Sequence, residues 1–375
     1  MSFASKLTAL LNGQATATAL GVASRTGLLA ALSPTPASAA GLAAAAGLAP
    51  RYVQEILAAL VCGEVVTLDA CCDPPLYALP AEHQEALRGM AMYFEELPLL
   101  AQCAFDQVCS AARSGGGVPS AHYGAFGAWM GKVAAEKHER QLVQTFLPSL
   151  DNGRVVAQLG GAAARVLDMG CGHGVAARLV ARAFPQATVV GVDIDAASIE
   201  AARAHPEAAR LPNLHFHVGD ASSGGDALRG ALGGRGDFDL ILSMDAIHDL
   251  PDPAGAMATA RALLRPDATA SDAEAGGGGG VFAMVDIRAR TELQHNVNHP
   301  MAPFLYCVSL LHCMPQGLNH CGAGLGMMWG RERAVAMLRE AGFGSVEVVE
   351  MEFDTFNDCY LCRQAAAAPA GGGAL

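Results

Sequence analysis

At 375 residues the chain is long enough for two domains and a substantial core. It carries 24 Lys and Arg against 36 Asp and Glu, a formal charge of −12, and an acidic balance repels phosphate backbones, which argues against nucleic acid as a substrate. The mean hydropathy of +0.28 comes largely from alanine, and no unbroken run of strongly apolar residues reaches the length of a membrane span, so a soluble protein without membrane attachment is expected.

Eleven irregularly spaced cysteines suit reduced thiols in the cytoplasm better than a secreted disulfide framework. No acidic residue precedes Glu55, and Lys6, Arg25 and Arg51 stand among Ala, Ser and Thr, a composition shared with transit peptides. The spacing of Leu7 to Leu11, Leu20, Val22, Leu28, Leu29 and Leu32 instead predicts packed helices. Further on, Ser38 is placed to cap a helix, Gly47-Leu48-Ala49-Pro50 makes a turn, and Tyr52, Ile56, Leu57, Leu60 and Val61 form the apolar stripe of a second helix. Two strands over 63–68 and 76–79 flank Cys71-Cys72-Asp73-Pro74-Pro75, which completes a winged helix within a predicted N-terminal domain of residues 1–120. Such a module usually suggests DNA. Here residues 1–130 hold only Lys6, Arg25, Arg51, Arg88 and Arg113 as cations, too few for substantial counterion release, so a dimerisation and substrate-covering role is expected.

Helix is predicted over 88–112 and again over 125–147, with the glycine-rich stretch 114–120 between them. In the second helix Phe126, Trp129, Met130, Val133 and Leu142 fall along one side. His122, Tyr123 and Trp129 sit where a lid could close over a substrate; aromatic packing between domains is the competing reading.

The most informative stretch is 164–195. Arg165-Val166-Leu167-Asp168-Met169 reads as a buried strand, Gly170-Cys171-Gly172-His173-Gly174 as a turn, and 175–184 as a helix by its apolar spacing. Three glycines at alternate positions allow positive φ and let a ligand lie against bare backbone. A second strand, 187–192, then ends in Asp193-Ile194-Asp195, where a nucleotide-binding βαβ unit places a carboxylate on ribose hydroxyls. The third glycine comes one residue too early for the G-x-G-x-x-G of dinucleotide enzymes. With an acid two positions before the first glycine, the pattern resembles motif I of the S-adenosylmethionine-dependent methyltransferases with a Rossmann-like fold.

Strands are further predicted at 213–218, ending in Gly219-Asp220-Ala221, at 238–244 and at 281–286, with a closing antiparallel pair from 346–349 and 359–362. A low-complexity insert at 268–280 and an Ala/Pro/Gly tail at 364–375 are expected to be disordered. His295, His299, His312, His320, Cys313 and Cys321 form no coherent zinc-ligand spacing, and Cys359-x-x-Cys362 stands alone, so no metal is expected.

Asp245-Ala-Ile-His248-Asp249 with Asp252-Pro253, His299-Pro300, Phe304-Leu305-Tyr306, Leu311-His312-Cys313-Met314, the segment 324–330 and Phe356-Asn357-Asp358 look like the bacterial-type methyltransferases that carry an N-terminal winged-helix domain. The resemblance covers roughly residues 3–362 outside the insert. More distantly, His248-Asp249 is similar to the His-Asp-Trp of plant small-molecule O-methyltransferases, whose histidine is a general base, with Leu250 here in place of the tryptophan. The family implies an α/β fold: a Rossmann-like seven-stranded sheet over 121–363 behind the mainly helical winged-helix domain. It also implies S-adenosyl-L-methionine as cofactor, bound by Asp168, Gly170, Gly172, Gly174, Asp193, and by Asp220 and Ala221 at the adenine.

Methyl transfer from a sulfonium is an in-line displacement, for which the acceptor must be held close and, if a hydroxyl, deprotonated. A histidine with an ordinary pKa of about 6.5 suits that role, so His248 is the candidate base; a histidine capping the next helix is the alternative. Tyr123, His299, Phe304, Tyr306, Met327 and Trp329 are the candidate acceptor pocket, with ordinary core packing as the competing account for each. The absence of Asn/Asp-Pro-Pro-Tyr after the fourth strand argues against methylation of nucleic-acid bases. The expected protein is a cytoplasmic homodimer that methylates a small, apolar, hydroxyl-bearing molecule. The alternatives are a non-catalytic S-adenosylmethionine-sensing regulator, or thiol or metalloid methylation through Cys71-Cys72.

Overall fold

The computed structural model describes residues 1–161, 163–234, 237–266 and 279–364. Of the two stretches expected to be disordered, 268–278 and 365–375 therefore lie outside the described residues. The chain forms two compact units, Met1–Cys103 and Ala104–Leu375.

In the first unit, α1 (Phe3–Arg25) precedes a short helix Leu28–Ala31, β1 (Ala37–Ser38), α2 (Ala39–Ala46), α3 (Pro50–Cys62), β2 (Thr67–Asp69) and β3 (Leu76–Ala78). The three strands pair antiparallel in the order β1-β3-β2. Ser38 caps α2 as its position suggested, its Oγ accepting from the Gly41 N–H at 3.1 Å. Three expectations need correction. The inward stripe of α3 is Val53, Leu57 and Leu60, spaced i, i+4, i+7, whereas Tyr52 lies one residue off that face and is 74% exposed. The wing strand begins at Thr67 rather than 63, because Glu64 takes φ +58 and turns the chain before it. The helix expected over 88–112 starts only at Tyr93, since Gly89 with φ +88 breaks the path after a short helix Ala81–Leu87; α4 is Tyr93–Ser114.

In the second unit, α5 (Gly124–Gln141) runs into a single π-helical turn, Leu142–Phe146, ahead of the sheet. Strands β4 (Arg165–Met169), β5 (Thr188–Asp193), β6 (Leu214–Val218), β7 (Leu240–Met244) and β8 (Val281–Ile287) are parallel. They alternate with α6 (Val175–Ala183), α7 (Ala196–Ala204), α8 (Gly225–Ala231) and α9 (Pro253–Leu263). After α10 (Ala302–Leu311) and α11 (Arg331–Glu340), the antiparallel strands β9 (Ser345–Glu350) and β10 (Asn357–Arg363) close the sheet. The order is β6-β5-β4-β7-β8-β10-β9, the expected seven-stranded α/β architecture.

Both faces of this sheet are buried, and alternate residues divide between them. Val166, Val189, Leu240 and Ala283 join one apolar cluster, while Leu167, Val190, Ile241 and Phe282 join the other. The carboxyl ends of the parallel strands are level: Met169 pairs with Val192, Asp193 with Val218, and Met244 with Val285. From β4 the chain builds outward through β5 and β6, then returns to β4's other side with β7 and β8. That reversal opens a crevice at the carboxyl edge, where open α/β sheets bind ligands.

The far edge is anchored by charge. Asp358 on β10, with no exposed side-chain surface, accepts from Arg288 Nε at 2.9 Å and from Arg331 Nε at 3.0 Å. Removing a fully buried carboxylate strands two guanidinium groups, so Asp358→Ala is expected to lower unfolding stability by about 3–5 kcal/mol, read from urea denaturation of the two proteins.

Candidate active site

A cleft of about 480 Å³ lies at the crevice, in the size range of small-molecule sites. Its floor is the turn between β4 and α6. Gly170, Gly172 and Gly174 all take positive φ, +72, +51 and +69. The requirement at Gly174 is doubled by packing, since a Cβ there would stand 2.4 Å from the Phe216 ring. A Cβ on Gly172 would instead meet nothing within 4 Å, so this position opens onto the cleft.

The turn is held by Asp193 at the tip of β5. Its Oδ2 accepts from Gly172 N–H at 2.8 Å and its Oδ1 from Asp195 N–H at 2.9 Å. Asp168 lies beneath, 2% exposed, with Oδ2 accepting from Ala177 N–H in the first turn of α6 at 3.0 Å. Burial pushes the Asp168 carboxyl up to about 7 against the opposing pull of that hydrogen bond. Asp220 and Ala221 line the cleft beyond β6, with Asp220 Oδ1 accepting from Ser222 N–H at 2.8 Å and from its hydroxyl at 2.6 Å. The structure thus brings Asp168, the three glycines, Asp193, Asp220 and Ala221 around one opening.

His248 follows β7 in a short turn, Ile247–Asp249, but is 2% exposed and sits behind the cleft wall. Its Nδ1 donates to Asp286 Oδ1 at 2.8 Å, and its Nε2 stands 3.4 Å from Asp249 Oδ1. Burial alone would lower the imidazole's proton affinity, yet the carboxylates of Asp286 and Asp249 outweigh it and raise the pKa well above the usual value. The expected value near 6.5 is corrected accordingly. Asp286, the partner that sequence alone left unidentified, ends the apolar strand β8; its Oδ1 also accepts from Trp329 Nε1 at 2.9 Å and from Ile287 N–H at 2.8 Å.

The expected acceptor pocket is largely corrected. Of its six residues only Tyr123 lines the cleft, with its hydroxyl donating to Leu311 O at 2.8 Å and its ring edge-on to His312. Phe304, Tyr306 and Met327 pack instead around Ile287, Leu305 and Met328. Trp329 is buried on Asp286, and His299 accepts from Met301 N–H within its own turn. It is the end of α10 and the residues after it, His312, Gln316, Asn319 and His320, that reach the cleft, together with Leu250 and Pro251. Phe126, which also lines the cleft, stacks with the buried Trp129.

His248, Asp249 and Cys313 bring nitrogen, oxygen and sulfur within 4.8 Å of one another. Burial pushes the Cys313 thiol up to about 12. Asp245, one residue past β7, lines the cleft with φ +52; burial raises its carboxyl to about 6 while Lys137 opposes the shift.

Two family models match this chain. Residues 161–302 fit the model described as "Methyltransferase domain", and residues 14–88 the "Rv2258c-like winged HTH domain". Residues 161–302 are thus similar to a methyltransferase domain. Over 103 residues the chain is 39% identical to trans-aconitate 2-methyltransferase of Deinococcus radiodurans, covering 28% of this chain and 34% of that protein. A further match, 32% identical over 102 residues, is to ubiquinone biosynthesis O-methyltransferase of Albidiferax ferrireducens, covering 27% of this chain and 37% of the relative. The chain thus spans only about a third of the length of these relatives. The fold as a whole is similar to an O-methyltransferase family protein of Burkholderia thailandensis, with TM-score 0.65 and 14% identity over 98% of this chain and 100% of that one. It is also similar to human N-acetylserotonin methyltransferase in complex with SAM, with TM-score 0.64 and 15% identity over 98% and 99%. At such identities the likeness shows the fold alone.

The buried Asp168 carries a pH signature. Its native carboxyl takes a proton more readily than in the unfolded chain, where the value is 3.8. Its protonated form favours the native state below about pH 4, and that contribution is lost as pH rises through about 7. Relative to Asp168→Asn, the wild type is expected to lose thermal stability steadily across that window, by scanning calorimetry.

Proposed function

We propose that this protein is an S-adenosylmethionine-dependent O-methyltransferase acting on a small, apolar, hydroxyl-bearing molecule, in the cytoplasm, as a homodimer and without nucleic acid. The observation that carries the reading is the Gly172 position: bare backbone open to a cleft, flanked by carboxylates at two neighbouring strand ends. The residues fit the cofactor's chemistry. The open backbone at Gly172 suits its amino-acid end, Asp193 its ribose diol, and Asp220 with Ala221 its adenine. When bound, the cofactor supplies an electrophilic methyl on a sulfonium.

The chain's own contribution is positioning and proton removal. His248 is the proton acceptor, its Nδ1–H fixed by Asp286 so that Nε2 is the basic atom; Asp249, which lines the cleft 3.4 Å away, joins it to the acceptor side. Two carboxylates make the imidazole a stronger base but keep it protonated to higher pH. Turnover should therefore rise with pH on the alkaline side of the ordinary histidine range, as His248 loses its proton. Exposed Phe3, Leu7, Leu10 and Leu11 along α1 support self-association of the first unit. A monomeric mass by light scattering at micromolar concentration would remove the dimer.

Methyl-labelled cofactor incubated with the protein and cell extract is expected to label small molecules; label confined to nucleic acid, or none, would reject the reading. Gly172→Val should weaken S-adenosylhomocysteine binding at least tenfold by calorimetry, because its side chain enters the cleft. His248→Asn should leave that affinity unchanged, slow turnover by about 10²–10⁴ and flatten the alkaline rise. Equal turnover in the variant would exclude the base role.

A further inference from the structure

Asp245 brings three features together in one cleft residue. It is a non-glycine residue at φ +52, held there while its N–H donates to Val285 O at 2.9 Å. Such a conformation is kept where the surroundings over-determine it, and functional sites are where it concentrates. Its Oδ1 is buried with no hydrogen-bond partner among the described residues, and a buried carboxylate oxygen without a donor is a costly thing to retain. Finally, it lines the cleft beside the glycine turn: the methyl of the next residue, Ala246, would stand 2.7 Å from a Cβ placed on Gly170.

The surroundings define what is missing. On the other oxygen, Oδ2, Asn357 Nδ2 stands at 3.4 Å and Lys137 Nζ at 3.9 Å, while the same Lys137 lies 2.8 Å from Asp354. The nearer lysine contact is thus made to Asp354, and Oδ1 still lacks a donor. Of the other carboxylates at the turn, Asp193 already accepts from Gly172 and Asp195 N–H, and Asp168 is 2% exposed and accepts from Ala177 N–H. What Asp245 lacks is a compact cation with several N–H donors, which describes a primary ammonium group.

We propose that Asp245 is the anchor for the ammonium group of the cofactor's amino-acid end. This rests on the S-adenosylmethionine reading above and extends it to a residue that no glycine-loop pattern includes. A zwitterionic amino-acid group needs two opposite partners. The bare backbone at Gly172 leaves room for its carboxylate, and Asp245, one strand over at the end of β7, answers its ammonium.

The test compares two ligands on the full-length chain by titration calorimetry. S-adenosylhomocysteine carries the amino-acid end; 5′-methylthioadenosine keeps the adenosine and thioether but lacks it. Asp245→Asn preserves side-chain shape and suits positive φ, and Asp245→Gly removes the carboxyl while freeing the backbone. Both variants are expected to bind S-adenosylhomocysteine at least tenfold more weakly and methylthioadenosine within twofold of wild type. Unchanged S-adenosylhomocysteine affinity overturns the assignment, including the case in which turnover alone falls and Asp245 acts on the acceptor instead. Equal weakening of both ligands overturns it too, as damage to the whole cleft. If the wild type binds neither ligand, the cofactor reading itself falls and this assignment with it.

Discussion

The hydrogen bond from Gly172 N–H to the Asp193 carboxylate is the constraint on which the cleft depends. It ties the turn after β4 to the tip of β5, and the other oxygen of the same carboxylate holds Asp195 N–H at the start of α7. A backbone bent back this tightly visits positive φ at three alternate residues, which costs glycine little and other residues much. The reward is a surface of bare peptide on which a ligand can rest. Substituting larger residues would lose that surface even where the fold tolerated them.

Around this turn the parallel sheet sorts carboxylates by depth. Strands with level carboxyl ends deliver Asp168, Asp193, Asp220, Asp245 and Asp286 to one edge, although more than a hundred residues separate the first from the last. Asp168 lies deepest in the cleft, bonded to Ala177 N–H, and Asp286 lies behind the wall, bonded to His248 and Trp329. Asp193, Asp220, Asp245 and Asp249 face the opening. The inner pair organises the wall, and the outer four give the cleft its negative character. A cleft of that sign accords with a ligand carrying a sulfonium and an ammonium but a single carboxylate.

His248 illustrates how tertiary context rewrites a residue's chemistry. The same imidazole that looks neutral and poised on composition becomes, between Asp286 and Asp249, a group that prefers to keep its proton. Its burial also sets it behind Asp249, the member of the pair that lines the opening.

The parallel strands, the glycine turn and the acids at the strand ends were legible in the amino-acid order, because each rests on a local pattern: apolar runs, alternating glycines, a carboxylate at a fixed offset. The wing strand and the face of α3 were read one or a few residues out, since neighbouring apolar positions compete for the same core and a single positive φ at Glu64 moves a boundary. Asp286 could have been noticed as a charge closing an otherwise apolar strand, but nothing local paired it with a histidine 38 residues earlier. The acceptor side was least legible. Phe304, Tyr306, Met327 and Trp329 have the composition of a pocket, yet long-range packing buries them elsewhere and hands the cleft to His312, Gln316, Asn319 and His320. Sequence determined which residues could hold a nucleotide-like ligand, because that cradle is built from one contiguous turn and its flanking strands; only the tertiary structure decided what faces the ligand, because those side chains come from segments whose meeting depends on how the whole sheet closes.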